Sequence, residues 1–226
     1  MSSKSAVSRL IQKLISLRNH FDKTMTEIEK QHPDWNEKDT RLSVYGRTIN
    51  VINSVLFSVM FKEEELVNPA WFKKVFSDEL TLKEHGYYLA NYTSFLRLSY
   101  VTILFSAFEV FFRDILRVVY PNYSKNDNIG TIIQFILNDN DLSKYCHVFD
   151  ILRILRNSLH NGGIYNERKG KTIFYTGKQY VFKKNQIISV NWELLIEIIF
   201  DVESCLAQLI CSEKISSKSE IHDFTD

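Results

Sequence analysis

The stretch Val101-Thr-Ile-Leu-Phe-Ser-Ala-Phe-Glu-Val-Phe-Phe-Arg-Asp-Ile-Leu-Arg-Val-Val119 carries apolar side chains at steps of three and four residues: Val101, Leu104, Phe105, Phe108, Phe112, Ile115, Leu116 and Val119. That spacing is the period of an α-helix with one broad face turned to a core. Upstream, Thr81-Leu-Lys-Glu84 has the form of a capping box, in which the threonine hydroxyl and the glutamate carboxylate satisfy backbone donors of the first turn. The helical region therefore opens near residue 81 and ends at Tyr120-Pro121, where proline removes a donor, with a break expected near Gly86.

The same period recurs on both sides of this stretch. Residues 5–31 place Val7, Leu10, Ile11, Leu14, Ile15 and Leu17 at helical steps, and His32-Pro33 stops them. Residues 39–61 repeat the pattern through Val44, Ile49, Ile52, Val55, Leu56 and Val59, followed by a connection made of the acidic run Glu63 to Glu65 and Pro69. Residues 129–137 predict a short helix. Residues 142–160 predict another, apolar at Val148, Ile151, Leu152, Leu155 and Leu159, and ended by Asn161-Gly162-Gly163 because glycine takes the left-handed cap without steric penalty. Lys171 to Lys184 switches to strand-like composition around Thr176-Gly177 and reads as a hairpin. Asn191 then caps a last helix through Leu206 and Leu209. The expectation is a mainly α, all-α-class fold: an up-and-down helical bundle with one β-hairpin insert at about 171–184, a single domain over residues 1–211, and a polar, frayed tail at 212–226.

Composition narrows the function classes. Seven glycines and three prolines in 226 residues are too few for a loop-rich or all-β architecture. A net charge of +1 means that any nucleic-acid contact must come from a local basic patch. The three cysteines, at 146, 205 and 211, have neither disulfide-framework nor zinc spacing and suit a reducing compartment. The first residues contain no signal-peptide-like apolar block, and the run Tyr100 to Phe112 is interrupted by Glu109 and short for a bilayer, so a cytoplasmic location is expected. The histidines at 20, 32, 85, 147, 160 and 222 do not pair at metal-ligand spacing, and neither a Gly-rich phosphate loop nor a Gly-x-Ser-x-Gly motif occurs, so no metal or other cofactor is expected.

One helix end is equipped for chemistry. At about 100° per residue, Arg153 and His160 project within about 20° of each other, and Arg156 and Asn157 lie on the same flank, beside the apolar stripe. Histidine can take and give a proton near neutral pH. Arginine presents a planar, permanently charged fork that matches phosphate oxygens and stabilises charge developing in a transition state. Asn157 could orient a ribose or the imidazole. The set suits phosphodiester cleavage without a metal. The same residues also suit an ordinary helix end, where arginines answer the helix dipole and a histidine caps the last carbonyls.

The run Leu155-Arg-Asn-Ser-Leu-His-Asn-Gly-Gly163 resembles the signature of the HEPN superfamily, helical-bundle domains found in prokaryotic toxins, phage-defence proteins and RNA-processing machines. The family motif is an arginine, commonly followed by asparagine, with a histidine four to six intervening residues later. Arg153 meets that spacing; Arg156 is followed by Asn157 but is separated from His160 by three residues, and the Arg-Asn pair with the following His-Asn-Gly favours it. Ser106-Ala-Phe-Glu109 is similar to the family's acidic element on an earlier helix, which would face Glu109 toward the arginine. The resemblance implies a metal-independent endoribonuclease in a toxin or phage-defence setting, with the ribose 2′-hydroxyl as nucleophile, RNA as substrate, a homodimer that juxtaposes two such helix ends, and an antitoxin or defence-complex protein as a further partner. In some members an antitoxin modifies a tyrosine two residues after the histidine; Gly162 stands there, so that mode of control is not expected. A non-catalytic module of the same shape, binding RNA or protein in a larger complex, is the alternative. The hairpin adds a second candidate surface, since Lys171, Lys178, Tyr180, Lys183 and Lys184 mix cations with a ring in the way single-stranded RNA is held, although its aromatics could equally pack on the bundle.

Overall fold

The computed structural model describes residues 3–124, 126–159, 161–188 and 190–224. Helix α1 (Ser3–Gln31) buries Leu14, Leu17, Phe21 and Ile28 on one face. Helix α2 (Thr40–Phe61) starts at Asp39, whose side chain accepts from the Arg41 N–H, and runs into a π-helical turn at Lys62–Leu66. The following segment, expected to be a connection, contains a short helix, α3 (Pro69–Val75). Its physical cause is local: Asn68 accepts from the Ala70 N–H, and Pro69 occupies the first turn, where its missing donor is harmless.

Helix α4 (Leu82–Val119) is continuous over 38 residues and begins with the full capping box of Thr81 and Glu84. The break expected at Gly86 does not occur. Neighbouring contacts hold the backbone there: the His85 ring nitrogen Nε2 lies 2.7 Å from the Leu66 carbonyl, and the ring packs 4.8 Å from Phe72 of α3. Helix α5 (Ile129–Asp139), a 3₁₀ turn at Ser143–Tyr145 and helix α6 (Cys146–Leu159) follow. Strands β1 (Lys171–Tyr175) and β2 (Lys178–Phe182) pair antiparallel, Ile173 opposite Tyr180, around Thr176 and Gly177 at positive φ. Helix α7 (Trp192–Ile210), capped by Asn191, and the short α8 (Glu213–Ser216) complete the chain. The fold is mainly helical with one two-stranded hairpin.

Helix α4 organises the bundle: α2 packs on one side of it, α5 and α6 on the other, while α1 bridges α2 and α7. Phe105, Phe108, Phe111 and Phe112 are all fully buried. Phe108 and Phe112 meet Phe149 of α6 edge to face at 6.2 and 5.2 Å, a geometry that aromatic quadrupoles favour. This packing sets the orientation of α6 against α4, and hence of the candidate site.

The tail beyond residue 211 is not frayed over its described length. Ile215 and Ile221 are fully buried. The Arg41 guanidinium, itself fully buried, donates to the carbonyls of Ile215 and Lys218 at 2.9 Å each and to Ser219 at 3.3 Å, while its Nε donates to Asp39 at 2.8 Å. Backbone bonds from Thr40 to Ile221 and from Asp223 to Lys38, each 2.8 Å, and an ion pair between Arg47 and Asp223 close the strap against α2. The domain therefore extends past residue 211 to the end of the described chain. Among the described residues, Thr40–Leu66 and Leu82–Val119 are long and apolar enough to cross a membrane by length and composition, but 44% and 50% of their most apolar windows are buried inside the bundle.

Candidate active site

The site grows from the buried stripe of α6. Val148, Ile151, Leu152, Ile154, Leu155 and Ser158 face the core, which leaves Arg153, Arg156 and Asn157 half-buried on the flank. His160, the expected proton-transfer residue, lies outside the described residues, directly after the last residue of the helix.

The two arginines are drawn to different partners. Arg153 donates from Nη1 to Glu167 at 2.7 Å and lies 3.6 Å from Asp150 through Nε, so it is held between two carboxylates. Its stem covers Gly130 of α5, where an added Cβ would come within 3.1 Å of it. Arg156 turns toward α4. Its Nη2 stands 3.9 Å from Glu109, its Nη1 donates to the Asn157 side chain at 3.2 Å, and its guanidinium carbon sits 5.9 Å from the centre of the Phe105 ring. The Arg156 Nε is buried without a hydrogen-bond partner among the described residues. Of the expected set, the structure thus brings Arg156, Asn157 and Glu109 together and ties Arg153 elsewhere.

Arg113 joins them. It grips Glu109 through Nε and Nη2 at 3.0 and 2.8 Å, the closer of the two arginine contacts to that carboxylate. Glu109 is only 23% exposed on its side chain, and two guanidinium groups share its single negative charge, so among the described residues the cluster keeps a net positive charge. An anion arriving there would meet Arg156, the more loosely held of the pair. The signal for Arg113 is present in the sequence as its position four residues after Glu109, the spacing at which helical side chains meet.

Residues 161–163 turn back onto α6. Gly162 and Gly163 take φ of 65° and 83°, the left-handed region, and the Gly163 N–H donates back to Ser158 at 2.9 Å. The chain then runs as a ribbon against residues 185–188, through bonds from Tyr165 to Gln186, Asn185 to Tyr165 and Ile188 to Gly163. Between this ribbon and the last turns of α6 lies a cleft of about 280 Å³ that includes Asn157, Asn161, Tyr165, Asn166 and Glu167. The single Tyr165 hydroxyl proton lies between two acceptors, the Lys169 carbonyl at 2.9 Å and Glu167 at 3.2 Å; burial, and then the Glu167 charge, push its pKa up to about 12.

The hairpin divides into an inner and an outer face. Ile173, Tyr175 and Phe182 are buried, and the Tyr175 hydroxyl donates to Asp201 of α7 at 2.8 Å. Lys171 is engaged by Asp150 at 2.8 Å, and Tyr180 is half-buried, 6.4 Å from the Tyr175 ring. Lys178, Lys183 and Lys184 are exposed, as is Phe174, at 70%. Compared with family models, with curated proteins and with solved structures, the chain matches none of them.

Proposed function

We propose that this chain is a metal-independent endoribonuclease of the HEPN type, acting in the cytoplasm as a toxin or phage-defence effector. The observation that carries the reading is the meeting of Arg156, Asn157 and Glu109 in the last turns of α6, with Arg113 behind them and His160 next in sequence. Such a cluster can bind a phosphodiester by charge-assisted hydrogen bonds from Arg156 to its non-bridging oxygens. Glu109, clamped by Arg113, attracts the guanidinium from 3.9 Å on the side of the Phe105 ring, loosely enough for a phosphate to engage it. His160 takes the proton of the ribose 2′-hydroxyl or delivers one to the leaving oxygen. The 2′-oxygen attacks phosphorus, the bond to the 5′-oxygen breaks, and the products are a 2′,3′-cyclic phosphate and a 5′-hydroxyl. Positive charge fixed beside the phosphate stabilises the charge that builds up on its oxygens.

Two further features support parts of this reading. The exposed outer face of the hairpin, with Lys178, Lys183, Lys184 and Phe174, offers phosphate pairing and one stacking ring for the flanking strand. Phe61 and Phe95 line one apolar cleft of the α2–α4 face, and Phe95 and Ile103 line the next, an apolar surface suited to a homodimer or to an antitoxin or defence-complex protein. The hairpin lysines alone would equally serve a non-catalytic RNA-binding module.

Purified protein should cleave single-stranded RNA in EDTA and leave 2′,3′-cyclic phosphate ends. His160→Ala and Arg156→Ala should each lower the rate at least a hundredfold, a loss typical of removing a general base or a transition-state donor, with no change in melting temperature. Cleavage that survives His160→Ala overturns the nuclease assignment. Salt-sensitive binding without any cleavage would instead establish the non-catalytic module.

A further inference from the structure

The cleft beside Asn157 has a chemistry of its own. It adjoins the proposed phosphate site, since Asn157 both lines it and accepts from Arg156 at 3.2 Å. Yet it is no anion site: Glu167 lines it, and the nearby cation, Arg153, is already bound to Glu167 and Asp150. The pairing with Arg153 neutralises Glu167, so a neutral molecule can approach without facing a bare carboxylate. Ile154 and Tyr165, both almost completely buried, supply an apolar base to the cleft.

Its polar groups are mostly amides with unspent donors and acceptors. The Asn157 oxygen is engaged by Arg156, which leaves its –NH₂ as a donor among the described residues. Asn161 spends its –NH₂ on the Asn157 carbonyl at 3.1 Å, which leaves its oxygen as an acceptor. Asn166 has no side-chain hydrogen bond among the described residues, so both its donor and its acceptor are available. At about 280 Å³ the cleft falls just under the roughly 300–1,000 Å³ range of pockets that enclose drug-sized ligands, and suits a single ring system. A small, flat, neutral heterocycle with donors and acceptors along its edge fits this combination. RNA-binding proteins read unstacked bases in the same way, through hydrogen bonds to their exposed edges.

We infer that this cleft takes the nucleobase of the nucleotide next to the scissile phosphate, with adenine preferred because an asparagine amide can make two bonds to its N6 and N7 positions. The inference rests on the ribonuclease reading for the position of the phosphate. Asn166 supplies the bidentate contact, while Asn157 and Asn161 hold the base beside Arg156. Because Asn166 is exposed and outside the core, its substitution changes base choice and not the fold.

A single-stranded RNA library with degenerate sequence, digested in EDTA and sequenced at its new ends, tests this directly. Wild type should enrich adenine about tenfold at one position adjoining the cut, and Asn166→Ala should flatten that enrichment while still cleaving. Cleavage without enrichment, with a different preferred base, or with enrichment unchanged in Asn166→Ala overturns the base site and leaves the nuclease standing. A nitrogen-15 NMR titration decides the site even if wild type cleaves nothing. Adenosine monophosphate should shift the side-chain amide signals of Asn161 and Asn166, whereas ribose 5-phosphate, which reaches only the phosphate site, should move Asn157 through its bond to Arg156 and leave Asn166 in place; equal effects of the two probes on Asn166, or none, overturn the inference.

Discussion

Replacing Asp114 by asparagine should abolish one component of the protein's pH-dependent stability. Asp114 lies on α4, 1% exposed, and burial pushes its pKa up to about 6, with the nearby Asp223 charge adding to the rise. Thr40, donating to it at 3.1 Å, and Arg117, donating at 3.0 Å, pull the other way and do not prevail. An unfolded aspartate titrates near 3.9. The folded state therefore binds more protons than the unfolded state between about pH 4 and pH 6, so stability falls as pH rises through that window and stays lower above it. A shift of two units corresponds to about 2.7 kcal/mol at 1.36 kcal/mol per unit, and solvent reaching the carboxylate past the half-exposed Arg117 weakens the burial penalty and reduces the expectation to on the order of 1–2 kcal/mol. Asparagine keeps the shape and cannot ionise. Urea unfolding followed by tryptophan fluorescence should give Asp114→Asn a stability close to wild type at pH 4.5. At pH 7.5 the variant should be more stable by about 1–2 kcal/mol, the pull of Arg117 on the carboxylate being already contained in the pKa of about 6. Parallel stability profiles for the two proteins across that pH range would refute the account of Asp114 as a carboxylate held under strain by burial.

Arg41→Ala should destabilise the protein by about 3–5 kcal/mol, because it leaves Asp39 charged, buried and unpaired and strips donors from the carbonyls of the C-terminal strap. In the double variant with Asp39→Ala the loss should be smaller than the sum of the single ones, as a double-mutant cycle in urea would show; additivity would mean that the pair does not act as a unit. Lys183→Ala with Lys184→Ala should weaken binding of single-stranded RNA and reduce the slope of log affinity against log salt by about 0.7 for each phosphate no longer neutralised, measured by fluorescence anisotropy over a salt series. An unchanged slope would remove the hairpin from the RNA path.

The parts of the fold legible in the sequence are those whose cause lies within a few residues. The capping box at Thr81 and Glu84, the Asn191 cap, the left-handed glycines after α6 and the Thr176-Gly177 turn each rest on short-range chemistry, and each forms as expected. A short-range signal can still be too faint to read: Asn68-Pro69 starts α3, a helix of 7 residues too brief for its periodicity to stand out. Gly86 shows the opposite case, since a residue of poor helix propensity stays helical when packing around His85 holds its neighbours. The tail is illegible in the sequence because Ile215, Ile221 and Phe224 are scattered without period through its polar run, and the strap that buries the two isoleucines is held by Arg41, more than 170 residues away.

For the candidate site the division is sharper. The sequence alone placed Arg153, Arg156 and Asn157 on one flank of a glycine-ended helix, because 3.6 residues per turn dictates which positions share a side. Only the tertiary structure decided which arginine remains available there. Asp150 and Glu167 claim Arg153, whereas Glu109 reaches Arg156 across from α4, after Phe108 and Phe112 have set α6 against that helix through Phe149. Helical periodicity is a property of neighbouring residues, but the partner of a charged side chain is whichever opposite charge the packed core carries within a few ångströms, and that depends on the whole chain.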